Sequence, residues 1–264
     1  MENFNYHRPT KPADAVKAMK KAKDGKFLSG GMTLLPTMKQ GLAAPSDIID
    51  LGGLKNTGVA VAGAKVTVKA GTPHADVATD KDVKKTLPAL SALASGIGDP
   101  HVRNRGTIGG SIANNDPAAD YPAAVVGLNA TVVTSARKIP ADKFFTGMFA
   151  TALKDDEIVT SVEFTVPKRA AYVKFPNPAS RYAMVGVFVA ELSDGSVRVA
   201  VTGAGPKVFR VAEMEKALQA KFSADAVAGI SVSAKNLNND IHASPEYRAH
   251  LVNVLARRAV AAAK

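Results

Sequence analysis

The segment 96–120, GIGDPHVRNRGTIGGSIANNDPAAD, constrains what this chain can fold into more than any other stretch of its sequence. Glycine, proline and asparagine recur through it, and its apolar residues follow neither a helical nor a strand period, so we predict a long loop. Loops of this length in compact domains are usually functional or disordered. Four aliphatic residues are spaced so that they can anchor the segment: Ile97, Val102, Ile108 and Ile112. We therefore predict an ordered, functional loop.

Two glycine pairs in similar settings point to a binding site. One is TIGGS at Thr107–Ser111, and the other is SGGMT at Ser29–Thr33, directly before a predicted short helix at 34–40. Because glycine has no Cβ, such loops can bring backbone N–H groups against a ligand, and a helix N-terminus adds further donors. Two such loops suggest two walls of one anion site. The alternative is that each is only a tight turn.

Composition excludes several kinds of chemistry. The chain has 264 residues, enough for two domains or one large one, and it contains no cysteine. It can therefore hold no disulfide, no cysteine-ligated zinc and no iron–sulfur cluster of its own. Its first residues lack the apolar core of a signal peptide, and no apolar run approaches a membrane span of about 18 residues, so we expect a cytoplasmic protein without a transmembrane segment.

The net charge of +11 allows an anionic cofactor, an acidic partner or a nucleic acid. The densest lysine and arginine clusters fall in predicted helices, which favours solvated helix faces. No zinc-finger spacing or RNA-binding aromatic motif accompanies them, and we expect no nucleic-acid partner.

The order of predicted elements gives an α+β chain with a boundary at Pro167. Residues 1–56 alternate strands and helices as β-α-β-α-β, residues 57–167 form a second subdomain, and residues 168–264 carry strands followed by helices. Predicted helices lie at 12–23, 34–40, 74–79, 83–86, 87–95, 120–128, 210–221, 224–230 and 245–263. Predicted strands lie at 4–6, 26–28, 48–51, 130–134, 156–166, 172–175, 184–192 and 197–203, with a hairpin at 59–70. The last helix should bury Tyr247, Leu251, Val254 and Leu255 on one face.

Six stretches resemble the FAD-binding medium subunit of the molybdenum hydroxylases, which include the carbon monoxide dehydrogenase and xanthine dehydrogenase families. The stretches are distributed over nearly the whole chain. They are SGGMTLLPTMKQG (29–41), APSDIIDL (44–51), GDPHVRNRGTIGGSIANNDPAADYPAA (98–124), KIPADKFFTGMF (138–149), DEIVTSVEF (156–164) and SPEYRAHLVNVLARRAV (244–260). The resemblance implies a two-subdomain FAD-binding α/β domain at 1–167 and a C-terminal α+β domain at 168–264 with an antiparallel sheet. The Rossmann fingerprint G-x-G-x-x-G is absent, so FAD must be held in another way.

The resemblance also implies which residues contact FAD, and we expect the binding to be non-covalent. The expected set is Ser29, Gly30, Gly31, Met32, Thr33, Leu34, Thr107, Ile108, Gly109, Gly110, Ser111, Asn115, Asp120, Ile158, Lys174 and Tyr182. Both glycine loops would serve the pyrophosphate through backbone N–H groups, Asp120 would lie near cofactor hydroxyls or cap the helix after it, and Tyr182 would either flank the flavin ring or be a core tyrosine. Met32, Ser111 and Arg181 depart from the family pattern, which puts side-chain contacts there in doubt.

Several polar residues of the segment 96–120 have two interpretations. Arg103 and Arg105 can neutralise phosphate or pin the loop, and pinning is favoured; a structural hydrogen bond is favoured for His101. The run Asn114-Asn115-Asp116 resembles a metal cluster on paper, but such runs more often form a turn that bonds its own backbone. We expect no metal site and no catalytic acid, base or nucleophile on this chain.

The leading functional hypothesis is a subunit that passes electrons from partner-borne iron–sulfur centres through FAD to an external acceptor. The resemblance implies a large molybdenum-cofactor subunit carrying molybdopterin and a small iron–sulfur subunit, in a dimer of heterotrimers. Two alternatives remain open: a stand-alone flavin-dependent oxidase, and a basic nucleotide-binding module without redox function.

Overall fold

The N-terminal layer of the computed structural model, which describes residues 1–264, is a small parallel sheet with helices between its strands. Its elements are β1 (Asn5–His7), α1 (Pro12–Lys21), β2 (Gly25–Leu28), α2 (Leu34–Lys39), β3 (Asp47–Asp50) and a 3-10 turn at Leu51–Leu54. The strand order is β1-β3-β2, with both pairings parallel. Ala15 and Ile49 are fully buried and pack against Ile158 from the next layer. This order confirms the predicted β-α-β-α-β arrangement.

The second layer is an antiparallel five-stranded sheet covered by short helices. Its elements are β4 (Val59–Ala62), β5 (Lys65–Lys69), α3 (His74–Thr79), α4 (Lys81–Thr86), α5 (Pro88–Ser95), α6 (Pro100–Arg105), α7 (Ile108–Asn114), α8 (Tyr121–Gly127), β6 (Thr131–Thr134), β7 (Lys138–Pro140), α9 (Ala141–Phe144), β8 (Phe145–Gly147), β9 (Ala150–Thr151) and β10 (Val159–Thr165). The sheet order is β4-β5-β10-β6-β7, and β8 pairs separately with β9. The predicted hairpin is β4–β5.

The prediction of a long loop at 96–120 is wrong, because the segment contains helices α6 and α7. Asp99 caps α6 by accepting a hydrogen bond from the Val102 N–H at 3.0 Å, and Pro100 occupies its first turn. Thr107 caps α7 in the same way. Ile108 and Ile112 lie one helical turn apart and are fully buried. Glycines in the first turn of α7 and the short length of both helices hide the helical period from a window-based search.

The C-terminal part is an antiparallel sheet that separates two cores. Its elements are β11 (Arg169–Pro176), β12 (Ala183–Glu191), β13 (Val197–Thr202), β14 (Phe209–Arg210), α10 (Ala212–Ala220), a 3-10 turn at Ala224–Val227 and α11 (Pro245–Ala262), with strand order β11-β12-β13-β14. Because side chains alternate along a strand, Val187 and Val189 of β12 face α10 and α11, whereas Phe188 and Ala190 join the core of the second layer. Both faces of the sheet are therefore covered.

Two details of the C-terminal helices differ from prediction. The segment predicted as a helix at 224–230 forms only the short 3-10 turn. The buried face of α11 includes Leu251 and Leu255, as expected, but Tyr247 is exposed and Val254 is half-buried. Arg248 takes part in the buried face instead, because backbone carbonyls of the sheet accept its hydrogen bonds.

Candidate functional site

The two glycine pairs are adjacent in the structure. Ser29 lies directly after β2, and Thr107 lies directly before α7, and their side-chain oxygens are 2.8 Å apart. The Thr107 hydroxyl oxygen also accepts a hydrogen bond from the Gly110 N–H at 3.1 Å. One hydroxyl pair therefore joins the N-terminal layer to the second layer at the point where the glycine loops meet, as a shared site requires.

The loop Ser29–Thr33 presents an array of unpaired backbone donors. None of its five N–H groups donates a hydrogen bond within the protein, and the loop belongs to neither β2 nor α2. The loop is also partly exposed, so a ligand can reach it. Successive free amides on one short loop form a concave surface that suits an anion.

The second loop does not offer the same donors. The N–H of Ile108 donates to Thr72 O at 3.2 Å, and that of Gly109 donates to Ala70 O at 2.8 Å. The N–H of Ser111 donates to Thr107 O at 2.9 Å, as expected inside a helix. The expectation that both loops supply backbone donors thus differs from the structure at the second loop. What that loop leaves available is the Thr107 N–H and the Ser111 hydroxyl, neither of which makes a hydrogen bond within the protein.

Glycine occupies the four positions of the two pairs for different physical reasons. A Cβ on Gly30 would lie 2.1 Å from the carbonyl oxygen of Arg105, and one on Gly109 would lie 2.6 Å from the Ala70 Cβ, so close packing requires both glycines. Gly31 has φ of 75°, a left-handed conformation that favours glycine. Gly110 is less constrained, because a Cβ there would make one tight contact, 3.0 Å from Thr107 Oγ1, and would otherwise lie 3.6 Å from Ser29 Cβ. Its missing side chain leaves space beside the other loop.

Asp120 lies in a buried polar cluster and does not cap helix α8. It occupies the N-cap position, but its side chain accepts no capping hydrogen bond. Instead Oδ1 accepts from the Tyr172 hydroxyl at 2.6 Å, and Lys174 Nζ lies 2.9 Å from the same oxygen. Burial raises the pKa of this carboxyl, and the charge of Lys174 opposes that shift. Lys174 also donates to Gly96 O at 2.8 Å, so the cluster joins β11 to the end of α5.

Tyr182 stands at the edge of this cluster, and its side chain is 51% exposed. Partial burial raises the pKa of its hydroxyl, and the charges of Asp116 and Asp120 add to that shift. The ring is therefore neutral at neutral pH and available to cover a planar ligand. The alternative of a core tyrosine is wrong, because half of the side chain faces solvent.

The remaining expected site residues fall into two groups. Met32 is 38% exposed and Leu34 is half-buried, both beside the free amides. Asn115 and Ile158 are buried, with 1% and 3% exposure. Asn115 has a left-handed backbone and donates to the carbonyls of the β8–β9 hairpin. Ile158 packs between the first two layers and its N–H donates to Ser135 Oγ.

The charged and histidine side chains of α6 differ in whether they form hydrogen bonds. Arg103 pins the chain, as favoured, by donating through Nη1 to Ile97 O at 2.9 Å and Gly98 O at 3.1 Å. Arg105 is exposed and its side chain makes no hydrogen bond or ion pair. The expectation of a hydrogen bond from His101 is wrong, because its ring is exposed and has no partner.

The turn after α7 follows the prediction. Asp116 Oδ1 accepts from the Ala118 N–H at 2.9 Å, so this run bonds its own backbone. No group of three or more histidine, cysteine, aspartate or glutamate residues is arranged to hold a metal ion.

Two contributors to the site were missed by sequence reasoning. Tyr172 lies two residues before Lys174 on β11, so strand alternation puts both side chains on one face, and that spacing was the available signal. Thr202 at the end of β13 donates to Pro117 O at 3.2 Å and Ala119 O at 2.6 Å. No local pattern in the sequence marks Thr202, because its acceptors lie more than eighty positions away along the chain.

Two family models match adjacent parts of the chain. Residues 2–168 match the FAD binding domain in molybdopterin dehydrogenase, and residues 170–263 match the CO dehydrogenase flavoprotein C-terminal domain. The chain is also 36% identical to the nicotine 6-hydroxylase medium subunit of Paenarthrobacter nicotinovorans, over 97% of this chain and 96% of that relative. It is 33% identical to the carbon monoxide dehydrogenase medium chain of Hydrogenophaga pseudoflava, over 98% of this chain and 96% of that relative.

A solved structure shows the same fold. A chain of the carbon monoxide dehydrogenase from Hydrogenophaga pseudoflava that lacks the Mo-pyranopterin moiety superposes with a TM-score of 0.87 at 30% identity. The match covers 98% of this chain and 96% of that chain. Separately, no helix of the present structure is long and apolar enough to cross a membrane.

Proposed function

The chain belongs to the FAD-binding medium subunits of the molybdenum hydroxylases, and we propose that it passes electrons from iron–sulfur centres on a partner subunit through FAD to an external acceptor. The observation that carries the proposal is the run of unpaired amides at Ser29–Thr33 beside the hydroxyls of the second glycine loop. The relatives are named as medium subunits or medium chains, and this chain covers almost their full length.

The residues present fit FAD, because they match its needs group by group. In the proposal the amides of Ser29–Thr33, the Thr107 N–H and the hydroxyl of Ser111 hold the pyrophosphate, since the protein leaves these donors unpaired. The absent side chain of Gly110 provides the space for it. Tyr182 covers one face of the flavin ring. Bound FAD supplies the redox chemistry, which the protein itself cannot perform.

The cluster of Asp120, Tyr172 and Lys174 holds fixed charge and hydrogen-bond donors beside this space. Lys174 forms an ion pair with the buried carboxylate of Asp120, which accepts hydrogen bonds from both Tyr172 and Lys174. In the proposal these groups orient the sugar part of the cofactor. The further residues of the expected set shape the site by packing: Leu34, Ile108, Asn115 and Ile158.

The partners follow from the absence of cysteine. Because this chain cannot bind an iron–sulfur cluster through thiolates, electrons that come from such a cluster cross a subunit interface to reach FAD. We propose a small iron–sulfur subunit and a large molybdenum-cofactor subunit, assembled as a dimer of heterotrimers in the cytoplasm. Part of the +11 charge then faces an acidic or mixed surface of a partner.

The subunit hypothesis is tested by co-purifying the chain with the products of the neighbouring genes across a salt series. Substrate-driven reduction of the flavin is followed by absorbance in the same samples. We expect reduction only when the partners are present. If this chain alone reduces its FAD with a substrate at full rate, it is a stand-alone oxidase and the proposal fails. Acid precipitation should release the flavin into the supernatant, because nothing here requires a covalent anchor.

The loops Ser29–Thr33 and Thr107–Ser111 form the backbone cradle of the proposed site, and Gly110→Val tests it. We expect a large loss in the ratio of flavin to protein, because the branched side chain fills the space beside Ser29. Gly229→Val is the matched control, since a Cβ on Gly229 meets no atom within 4 Å. Arg105→Ala should keep its flavin. A variant in which Arg105→Ala alone empties the site would show that charge, and not the backbone cradle, holds the cofactor.

A further inference from the structure

A second polar cleft lies outside the glycine loops, where the end of α5, helix α6 and the β11–β12 connection meet. Its volume is about 440 Å³, and its lining includes Arg103, Lys174, Asn177 and Arg181. None of the lining residues is acidic, and none belongs to Ser29–Thr33 or Thr107–Ser111. The cleft is therefore separate from the donors that we assign to the pyrophosphate.

Two of the three cations in this cleft have no carboxylate partner. Lys174 is paired with Asp120, but Arg103 donates only to backbone carbonyls. Arg181 is exposed, and its guanidinium makes neither a hydrogen bond nor an ion pair. The carboxylate of Asp99, whose Oδ1 caps α6, lies near Arg181. The pKa of Asp99 is lowered mainly by the hydrogen bond from the Val102 N–H, and the charge of Arg181 adds a smaller effect. Arg103 and Arg181 thus form no ion pair, and the cleft keeps a net positive charge.

The backbone presents Arg181 from an ordered turn. Its φ is 62°, a left-handed conformation that is uncommon for a residue with a side chain. The turn is closed by Asn177, whose Oδ1 accepts from the N–H groups of Ala179 and Ser180, and whose carbonyl accepts from the Arg181 N–H at 2.9 Å. Non-glycine residues held in this region cluster at ligand clamps and active sites. Arg181 is also one of the positions where the sequence departs from the family pattern.

The position of the cleft connects it to the proposed flavin site. Lys174 belongs to both, and Tyr182 directly follows Arg181. We propose that this cleft binds the anionic group, a carboxylate or a phosphate-like oxyanion, of a small organic two-electron acceptor that reoxidises the cofactor. The acceptor gains two electrons and the accompanying protons, and the reduced flavin loses them. This inference rests on the proposed function, since it requires bound FAD.

The test compares two quinones as oxidants of the photoreduced FAD-loaded protein in a stopped-flow instrument at constant ionic strength. One is uncharged 1,4-naphthoquinone, and the other is an anionic naphthoquinone sulfonate. We expect Arg181→Ala to lower the second-order rate constant for the sulfonate by about tenfold, the scale of one charge-assisted hydrogen bond. The constant for the uncharged quinone should stay within about twofold, since an uncharged oxidant makes no such bond.

Lys84→Ala is the matched control, because it removes one exposed positive charge outside the cleft. It should leave the ratio of the two rate constants unchanged. Inorganic phosphate should slow oxidation by the sulfonate in the parent protein and not in Arg181→Ala. Equal rate constants for the sulfonate in parent and variant, with flavin bound in both, would overturn the assignment of the cleft alone. Loss of flavin from Arg181→Ala would also overturn it, by showing that the cleft is part of the FAD site. A parent protein without flavin would instead refute the proposed function.

Discussion

His74 should make the stability of this protein fall on mild acidification. The side chain is 4% exposed, its Nδ1 has no hydrogen-bond partner, and its ring centroid lies 5.3 Å from that of Tyr121. Its backbone N–H donates to Gly106 O, directly between α6 and α7. Burial lowers the pKa of His74 to about 4, and the charge of Arg103 adds to that shift.

Proton linkage gives the direction in which the free energy of unfolding changes with pH. The folded state binds the His74 proton only near the lowered pKa of about 4, whereas the unfolded chain binds it near the ordinary value of 6.5. The contribution of neutral His74 to stability is therefore fully present above pH 6.5 and is lost as the pH falls toward 4. Between about pH 8 and about pH 5 the free energy of unfolding should fall by about 2 kcal/mol from this residue. For a chain of this length that corresponds to a decrease in Tm of about 4 °C.

The assay is thermal unfolding across this pH range, with and without excess FAD. His74→Leu should have a lower Tm at neutral pH, because the ring packing with Tyr121 is lost, but a flatter dependence of Tm on pH. His101→Leu is the matched control, since His101 is exposed and its ring has no hydrogen-bond partner. This variant should keep the dependence of Tm on pH of the parent protein. An unchanged slope in His74→Leu would refute the reasoning that this histidine is buried in its neutral form.

Three further predictions concern buried polar groups. Asp120→Asn should lower the free energy of unfolding by about 3–5 kcal/mol, because Lys174 keeps a buried charge without a counterion; urea unfolding checks this, and full stability in the single variant would contradict it. Thr202→Val should cost about 1–3 kcal/mol by leaving the Ala119 carbonyl without its donor and should lower flavin retention, while Thr202→Ser restores both; equal behaviour of the two variants would assign the effect to packing. Glu157, whose pKa is lowered to about 2 mainly by hydrogen bonds from Arg137, should lose its stabilising contribution as the pH falls from 4.5 toward 2. Acid titration of stability in Arg137→Met should show a smaller step, because hydrogen bonds from Thr134 and the Lys154 N–H remain, and an identical acid transition would count against the ion pair.

The order of elements could be predicted from local properties of the sequence, whereas the family and its cofactor were predicted from the resemblance of six stretches to known medium subunits. Strand alternation, helix caps and turn residues act over a few positions, so β12, β13 and α11 were placed correctly along the chain. The absence of cysteine excludes clusters whatever the fold. Sequence patterns do not reveal α7 because its stability comes from the burial of Ile108 and Ile112 against distant elements and not from a local period. They do not reveal α6 because it is only six residues long and buries none of them.

The tertiary structure decided which of the two glycine loops can donate. Both loops have the same local sequence design, and the sequence predicts the same role for each. The amides of Ile108 and Gly109 are used by the carbonyls of Thr72 and Ala70, whereas those of Ser29–Thr33 stay unpaired. The partners of Asp120 were also decided at this level, since Tyr172 and Lys174 lie more than fifty positions away. The physical reason is that a hydrogen-bond acceptor supplied by a remote strand leaves no trace in the sequence around its donor.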